Sequence, residues 1–265
     1  MVQSLPVGLT VADVRIRFLE AKGRVSDKTR VQYEWVFGKL AAYSPFWPRD
    51  ASEVNRFISS LDGLCDVTVF QLFKCVRVIS RYCAKTYGWL DVMVDSERPK
   101  FAHKRRRYFN KDEVFRVVNA CCDLREKALI LVLLDSSARI GELASLRVSD
   151  LGDGFITVVG KTGERRYRCD SRLVALMREV SFDGVVFPMK VCGSRGQYVE
   201  PVRFSRSDGL SAQVKRIMKR AGLKGAKLGP HTLRHTAASL VAKETMSALA
   251  VRAVLQHDSV RTSEI

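Results

Sequence analysis

The sequence lacks several things that would assign it to a class at once. It has no apolar run able to cross a bilayer: the longest, Ala128 to Leu134, is seven residues, against the roughly 20 that a spanning helix needs. The start, Met1-Val2-Gln3-Ser4, carries no basic stretch leading into an apolar core, so no secretory leader is expected. The seven cysteines (Cys65, Cys75, Cys83, Cys121, Cys122, Cys169 and Cys192) are odd in number and include no Cys-x-x-Cys pair. They sit mostly among apolar residues, which predicts reduced, buried or half-buried thiols in a cytosolic protein. Acidic residues are scarce, with 28 Asp and Glu against 45 Lys and Arg, for a net charge of +17. That imbalance favours a polyanionic partner, nucleic acid first and an anionic membrane second. No basic amphipathic helix with an aromatic face supports the membrane.

What is present is ordinary for a folded chain. Hydrophobic residues make up 46% and charged residues 28% of the 265, so neither disorder nor a membrane class is favoured, and the length suits two domains. The basic excess is spread along the chain. Residues 1–108 hold 19 basic and 11 acidic side chains, and residues 109–265 hold 26 and 17. Both halves are expected to touch the same polyanion.

Residues 10–97 read as a helical domain with no strand pattern. Thr10 can cap a first helix carrying Val11, Val14, Ile16, Phe18 and Leu19. Ser26 can cap a second, with Val31, Trp35, Leu40 and Phe37 inward. Asp50 and Glu53 have the capping-box spacing for a third, and a fourth is expected from Val67 to Tyr87. Lys28, Arg30, Lys74, Arg77, Arg81 and Lys85 recur on the second and fourth helices. Singly they read as solvated side chains; together with the net charge they suggest a DNA-facing surface. Residues 98–108 read as a basic linker with Pro99 near its start and Lys104-Arg105-Arg106-Arg107 within it, suited to a phosphate backbone.

A second domain is expected over 109–265. Asn110 and Glu113 form a capping box, and helices are expected to about Ala120 and near Leu124–Leu134. A loop through Ser136–Arg139 leads into another helix. Phe155–Val159 and Arg165–Asp170 read as a hairpin with Lys161 near its tip. Helices follow near Ser171–Val180, Ser211–Ala221, Thr232–Lys243 and Ser247–Leu255, and Gly193–Arg206 reads as loop or short strand.

Polar residues recur where these elements begin and end. His231 stands at the start of the Thr232–Lys243 helix and Arg234 one turn in. An imidazole and a guanidinium on one face at a helix N-terminus suit an anion, most naturally phosphate. Taken singly, each polar residue has a plainer reading. Arg139 and Glu142 at i,i+3 read as a surface ion pair, Lys161 as a solvated turn residue and His257 as a helix-end residue. His231 and His235 have zinc-pair spacing, but no Glu follows the first and no third ligand is in view, so no metal is expected. Gly160-Lys161-Thr162 lacks the upstream glycine spacing of a P-loop.

Four motifs in order resemble the tyrosine recombinase (phage integrase) family. Ser137-Ala138-Arg139-Ile140-Gly141-Glu142 resembles its arginine box, Gly160-Lys161-Thr162-Gly163 its hairpin lysine, and His231-Thr232-Leu233-Arg234 its His-x-x-Arg box. Leu255-Gln256-His257 resembles its second histidine, with Gln256 where the family usually has Gly. The family's nucleophilic tyrosine would fall nine positions after His257, one past Ile265, and none of the seven tyrosines present (Tyr33, Tyr43, Tyr82, Tyr87, Tyr108, Tyr167, Tyr198) has that context.

The resemblance implies a fold that is mainly α with a small antiparallel β-sheet, in a two-domain architecture: a helical core-binding domain over 1–97, a basic linker over 98–108 and an α+β catalytic domain over 109–265. It implies site-specific recombination of double-stranded DNA through a 3′-phosphotyrosyl intermediate, with no ATP, metal or cofactor. Arg139 and Arg234 would bind phosphate oxygens, Lys161 would protonate the leaving 5′-oxygen, and His231 would accept the tyrosine proton or hydrogen-bond the phosphate. His257 would donate to a non-bridging oxygen, and Glu142 would orient an arginine. Lys74, Arg77, Arg81, Lys104, Arg105, Arg106 and Arg107 would contact DNA. A full-length homotetramer on paired sites, a monomer without DNA and a cytoplasmic location with host DNA are expected. The sequence as it stands is expected to bind DNA without cleaving it alone, as a shortened chain. The alternatives are an inactive DNA-binding relative and a type IB topoisomerase.

Overall fold

In the computed structural model, which describes residues 5–23, 25–100, 107–160, 163–192, 198–202, 207–225 and 228–245, most helices begin where a short polar side chain can take an orphaned backbone N–H. The chain divides into two compact units, Met1–Lys104 and Arg105–Ile265.

The first unit is helical: α1 Val11–Ala21, α2 Asp27–Tyr43, α3 Ala51–Ser59 and α4 Asp66–Tyr87. Thr10 and Asp13 cap α1 reciprocally, at 3.1 and 3.0 Å. Asp50 accepts from the Glu53 N–H at 2.8 Å, but the Glu53 carboxylate turns to the Arg49 N–H at 2.9 Å and to its guanidinium. The expected box is therefore half formed, because the arginine outcompetes the Asp50 N–H for the carboxylate. Val14, Phe18, Val36, Phe37, Leu40, Val54, Phe57, Leu72, Phe73, Val76 and Ile79 make the core.

Helix α2 keeps only part of its expected inward face. Phe37 and Leu40 are buried as expected, but Val31 and Trp35 are 67% and 38% exposed, and Val36 is buried instead. Apolar residues lie on both sides of this helix, so its own periodicity does not choose. The Phe18 ring of α1 does, packing edge-on against Tyr33 at 4.9 Å and Phe37 at 6.1 Å. Ile16 of α1 likewise faces outward.

The second unit is built on α6, Leu124–Asp135, capped by Asp123, whose carboxylate accepts from the Glu126 N–H at 2.7 Å. Ala128, Leu129, Ile130, Val132 and Leu133 are all fully buried. Around it pack α5 Lys111–Asn119, α8 Ser171–Glu179, α9 Ser207–Arg220 and α10 Pro230–Thr245. Asn110 and Glu113 form the α5 capping box. The short helix α7 spans Ile140–Ala144 and a 3-10 turn spans Val148–Asp150.

Strands β1 Phe155–Gly160 and β2 Gly163–Arg168 pair antiparallel, from Phe155 opposite Arg168 to Gly160 opposite Gly163. In a second antiparallel pair, β3 Met189–Cys192 with β4 Tyr198–Val202, β4 is a short strand within Gly193–Arg206, as that stretch allows, and β3 precedes it where no element is expected. Strands of four and five residues carry too little periodicity to be read alone. Asp183 and Gly184, at φ 47° and 77°, make a two-residue turn between Phe182 and Val185. The fold is thus mainly α with small antiparallel sheets.

Not all thiols are as expected. Cys75, Cys83 and Cys169 are buried and Cys121 half-buried, but Cys65 and Cys122 are exposed. Those two sit where helices start, Cys65 at the N-cap of α4 and Cys122 just ahead of Asp123. The expected helix Ser247–Leu255 lies outside the described residues.

Candidate functional site

Helix α6 ends at Asp135, and a tight turn restarts the chain as α7. Ser136 donates to the Val132 carbonyl at 2.7 Å and accepts from the Ala138 N–H at 3.2 Å. Ser137 takes φ 55°, a left-handed conformation that a non-glycine adopts only when its surroundings hold it there. It is fully buried, and its hydroxyl has no hydrogen-bond partner among the described residues.

This turn delivers Arg139 to the N-cap of α7, with Glu142 at the third helical position. The carboxylate reaches back to Arg139 twice. Oε2 accepts from the backbone N–H at 2.7 Å and Oε1 from Nη1 at 2.9 Å. The Glu142 side chain is 4% exposed and that of Arg139 41%. The carboxylate is buried behind the arginine, and the pair is not the surface ion pair that its spacing alone suggests.

Arg234 arrives from α10. Pro230 opens that helix, a position where its missing N–H costs nothing. Thr232 steadies the start, its hydroxyl accepting from the Gly229 N–H at 3.2 Å. Thr236 accepts from the buried Phe109 N–H at 2.9 Å and donates to the Thr232 carbonyl at 2.8 Å, fixing α10 to the start of the unit. The Arg234 guanidinium is buried and donates to the Ser137 carbonyl. Burial pulls its pKa down and the Arg139 charge does the same, while the Tyr167 hydroxyl, hydrogen-bonded to it, and Glu142 pull the other way. A guanidinium is basic enough to stay charged regardless.

Arg139, Glu142 and Arg234 thus stand together, two cations sharing one carboxylate. Positive charge is in excess, and the geometry suits a tetrahedral anion. His231 lies in the first turn of α10, three residues before Arg234, and is exposed. Lys161, His257, Lys104, Arg105 and Arg106 lie outside the described residues. Arg107 pairs with Glu113 and donates to the Lys224 carbonyl. On α4, Lys74 and Arg81 are exposed and Arg77 half-buried, all three within two turns on one face. Among the described residues no group of three or more His, Cys, Asp or Glu could hold a metal. No described helix is long and apolar enough to cross a membrane.

Two further residues crowd the Glu142 carboxylate: Tyr167, which no motif includes, and Gly160, which the hairpin motif includes without a role. Tyr167 of β2 sets its hydroxyl 3.4 Å from Glu142 Oε2. Gly160 of β1 passes so close that a Cβ there would lie 2.8 Å from Glu142 Oε1. The signal for Tyr167 was present in the sequence as the one aromatic in the charged strand Glu164-Arg165-Arg166-Tyr167-Arg168.

Comparison with known proteins bears on the same region. Residues 107–265 match the phage integrase family. The tyrosine recombinase XerA of Saccharolobus solfataricus is 28% identical over 228 residues, covering 81% of this chain and 72% of that protein. The tyrosine recombinase XerC of Xanthomonas axonopodis pv. citri is 28% identical over 204 residues, covering 69% of this chain; the match spans 63% of that protein's length. A lambda integrase dimer bound to a COC′ core site superposes with a TM-score of 0.74 at 18% identity, over 96% of this chain and 97% of that one. The Tn1549 transposon integrase, in complex with circular intermediate DNA, gives 0.75 at 15% identity over 97% and 94%. At those identities the superpositions show a shared fold.

Proposed function

The chain belongs to the phage integrase family, and we propose that it is a tyrosine-type, site-specific DNA recombinase. The observation that carries this reading is the pair Arg139 and Arg234 around the single carboxylate of Glu142. A DNA phosphodiester brings one negative charge to such a site, and the pentacoordinate transition state brings more. Two guanidinium groups therefore hold the transition state more tightly than the ground state.

In the proposed reaction a tyrosine oxygen attacks phosphorus and the P–O bond to the 5′-oxygen breaks. The 3′-phosphotyrosyl link conserves the bond energy until a second strand's 5′-hydroxyl reverses the step. Neither ATP nor a metal enters this balance. Lys161 protonates the leaving oxygen, His231 takes the tyrosine proton or holds the phosphate, and His257 donates to a non-bridging oxygen. Glu142 orients Arg139. The tyrosine itself is expected nine positions after His257. Residues 1–97 serve as the core-binding domain, with Lys74, Arg77 and Arg81 toward DNA. Residues 98–108, including Lys104 to Arg107, follow the phosphate backbone, and 109–265 carry the chemistry. Four copies on paired DNA sites form the working assembly, in the compartment that holds the host DNA.

The test uses a version of the chain continued past Ile265 with a tyrosine, and nicked duplexes that trap covalent adducts. Arg139→Ala and Arg234→Ala are each expected to lower adduct formation by ~10²–10³-fold. Both should still be retained on DNA, with retention falling steeply as salt rises. Wild-type adduct levels in both variants would overturn the reading. Relaxation of supercoiled plasmid without sequence preference would move it to a type IB topoisomerase.

A further inference from the structure

We propose that Tyr167 is a positioning residue that couples the two site arginines, an inference that rests on the recombinase reading above. Tyr167 is 3% exposed, alone in being buried on a strand whose other residues are exposed or half-exposed. It pairs with Ile156, itself fully buried, so the register turns its ring inward. The ring could have ended in apolar packing. Its hydroxyl instead reaches Glu142 Oε2 at 3.4 Å and is hydrogen-bonded to Arg234.

A phenol can donate one hydrogen bond and accept another at the same time. Here the guanidinium of Arg234 donates to the hydroxyl oxygen, and the hydroxyl hydrogen goes to Glu142. The same oxygen, Oε2, accepts from the Arg139 backbone N–H at 2.7 Å, while Oε1 accepts from the Arg139 guanidinium at 2.9 Å. The result is one continuous path, Arg234 to Tyr167 to Glu142 to Arg139. In a buried setting such a path strengthens along its length.

The path meets a specific need. Arg139 and Arg234 repel each other, and among the described residues Glu142 is the carboxylate that interacts with both. Without the hydroxyl, Arg234 keeps the Ser137 carbonyl but loses its link to that carboxylate. Both cations then have more freedom to drift apart before the phosphate arrives. Small displacements of this kind reduce the rate of the chemical step more than they weaken binding of a long DNA duplex.

The variant Tyr167→Phe removes the hydroxyl and keeps the ring. In the tyrosine-continued chain, its single-turnover adduct rate constant at saturating DNA is expected to fall ~10-fold, with Kd for duplex DNA within ~2-fold of wild type. A merely structural role would lower the fraction of active protein, and so the amplitude, while leaving the rate constant of the folded fraction alone. Glu142→Gln breaks the same path at its next link and serves as the second variant. The double variant is expected to lose little more than the worse single one, because residues on one path are not additive. A wild-type rate constant in Tyr167→Phe, or fully additive losses in the double variant, would overturn the proposal. Absence of adduct in the wild-type continued chain would instead overturn the recombinase reading, and this role with it.

Discussion

Both oxygens of Glu142 are committed to Arg139, one to its backbone N–H at 2.7 Å and one to its guanidinium at 2.9 Å. A two-point tie of this kind fixes where the guanidinium can point. It also makes the carboxylate sensitive to whatever crowds it.

Gly160 is the crowding point. A Cβ there would stand 2.8 Å from Glu142 Oε1, so Gly160→Ala forces the carboxylate aside. The carboxylate is the far end of a flexible side chain, so the fold is expected to survive at a stability cost of about 1–3 kcal/mol. The carboxylate can move only by loosening Arg139. In the tyrosine-continued chain the adduct rate should fall by ~10-fold with DNA retention intact. Thermal unfolding and single-turnover kinetics on one preparation check both halves, and an unchanged rate would show that Glu142 does not set the arginine's aim.

Ser137 holds a left-handed φ of 55° and a buried hydroxyl without a partner among the described residues. The backbone cost is about 1–3 kcal/mol, and the unpaired hydroxyl adds about 1–3 kcal/mol. Glycine removes both at an unfolded-state entropy cost of about 0.5–1 kcal/mol. Ser137→Gly is therefore expected to stabilise the protein by about 1 kcal/mol or more, raising Tm by about 2–4 °C for each kcal/mol gained. Ser137→Ala keeps the backbone cost and should gain less. A Tm below wild type for Ser137→Gly would show that the hydroxyl has a partner worth keeping.

The thiols predict a pH dependence. Burial pushes Cys83 and Cys121 up to about 11 and Cys169 up to about 12, with Asp135 adding to the rise at Cys169. An unfolded thiol titrates near 8.5. Each of these groups is protonated in the folded state well above the pH at which the unfolded chain loses its proton. Their contribution is complete below about pH 8.5 and is lost as the pH rises toward 11–12. Cys169→Ala should show a shallower loss of stability over that range than wild type, by denaturant unfolding at stepped pH. In the native protein at pH 8, alkylation should reach exposed Cys65 and Cys122 before Cys75, Cys83 or Cys169. An equal loss with pH in the variant would rule out Cys169 as its source.

Much of the fold was legible because it rests on short-range chemistry. Thr10 caps its helix and Asn110 with Glu113 starts another as a capping box, and both are visible as a short polar residue just ahead of an apolar pattern. The run from Leu124 to Leu134 announces a buried helix, and Arg139, Glu142, His231 and Arg234 stand out as a pattern in order. These signals survive in one dimension because cap and helix partners are neighbours along the chain.

What remained hidden depends on partners far away in sequence. Which face of α2 turns inward is settled by Phe18 from another helix. The Asp50–Glu53 box is an exception in kind: it is half formed because Arg49, only four residues from Glu53, claims the carboxylate. That the Arg139–Glu142 pair is half buried, that Ser137 is forced left-handed, and that Tyr167 and Gly160 close on one carboxylate all follow from the packing of α7, α10 and the β1–β2 hairpin. The linear order of residues carried the elements, the family and the charges of the site. Three-dimensional packing alone decided which of those charges are buried and which touch, because burial and hydrogen bonding join residues separated by 25 to 97 positions.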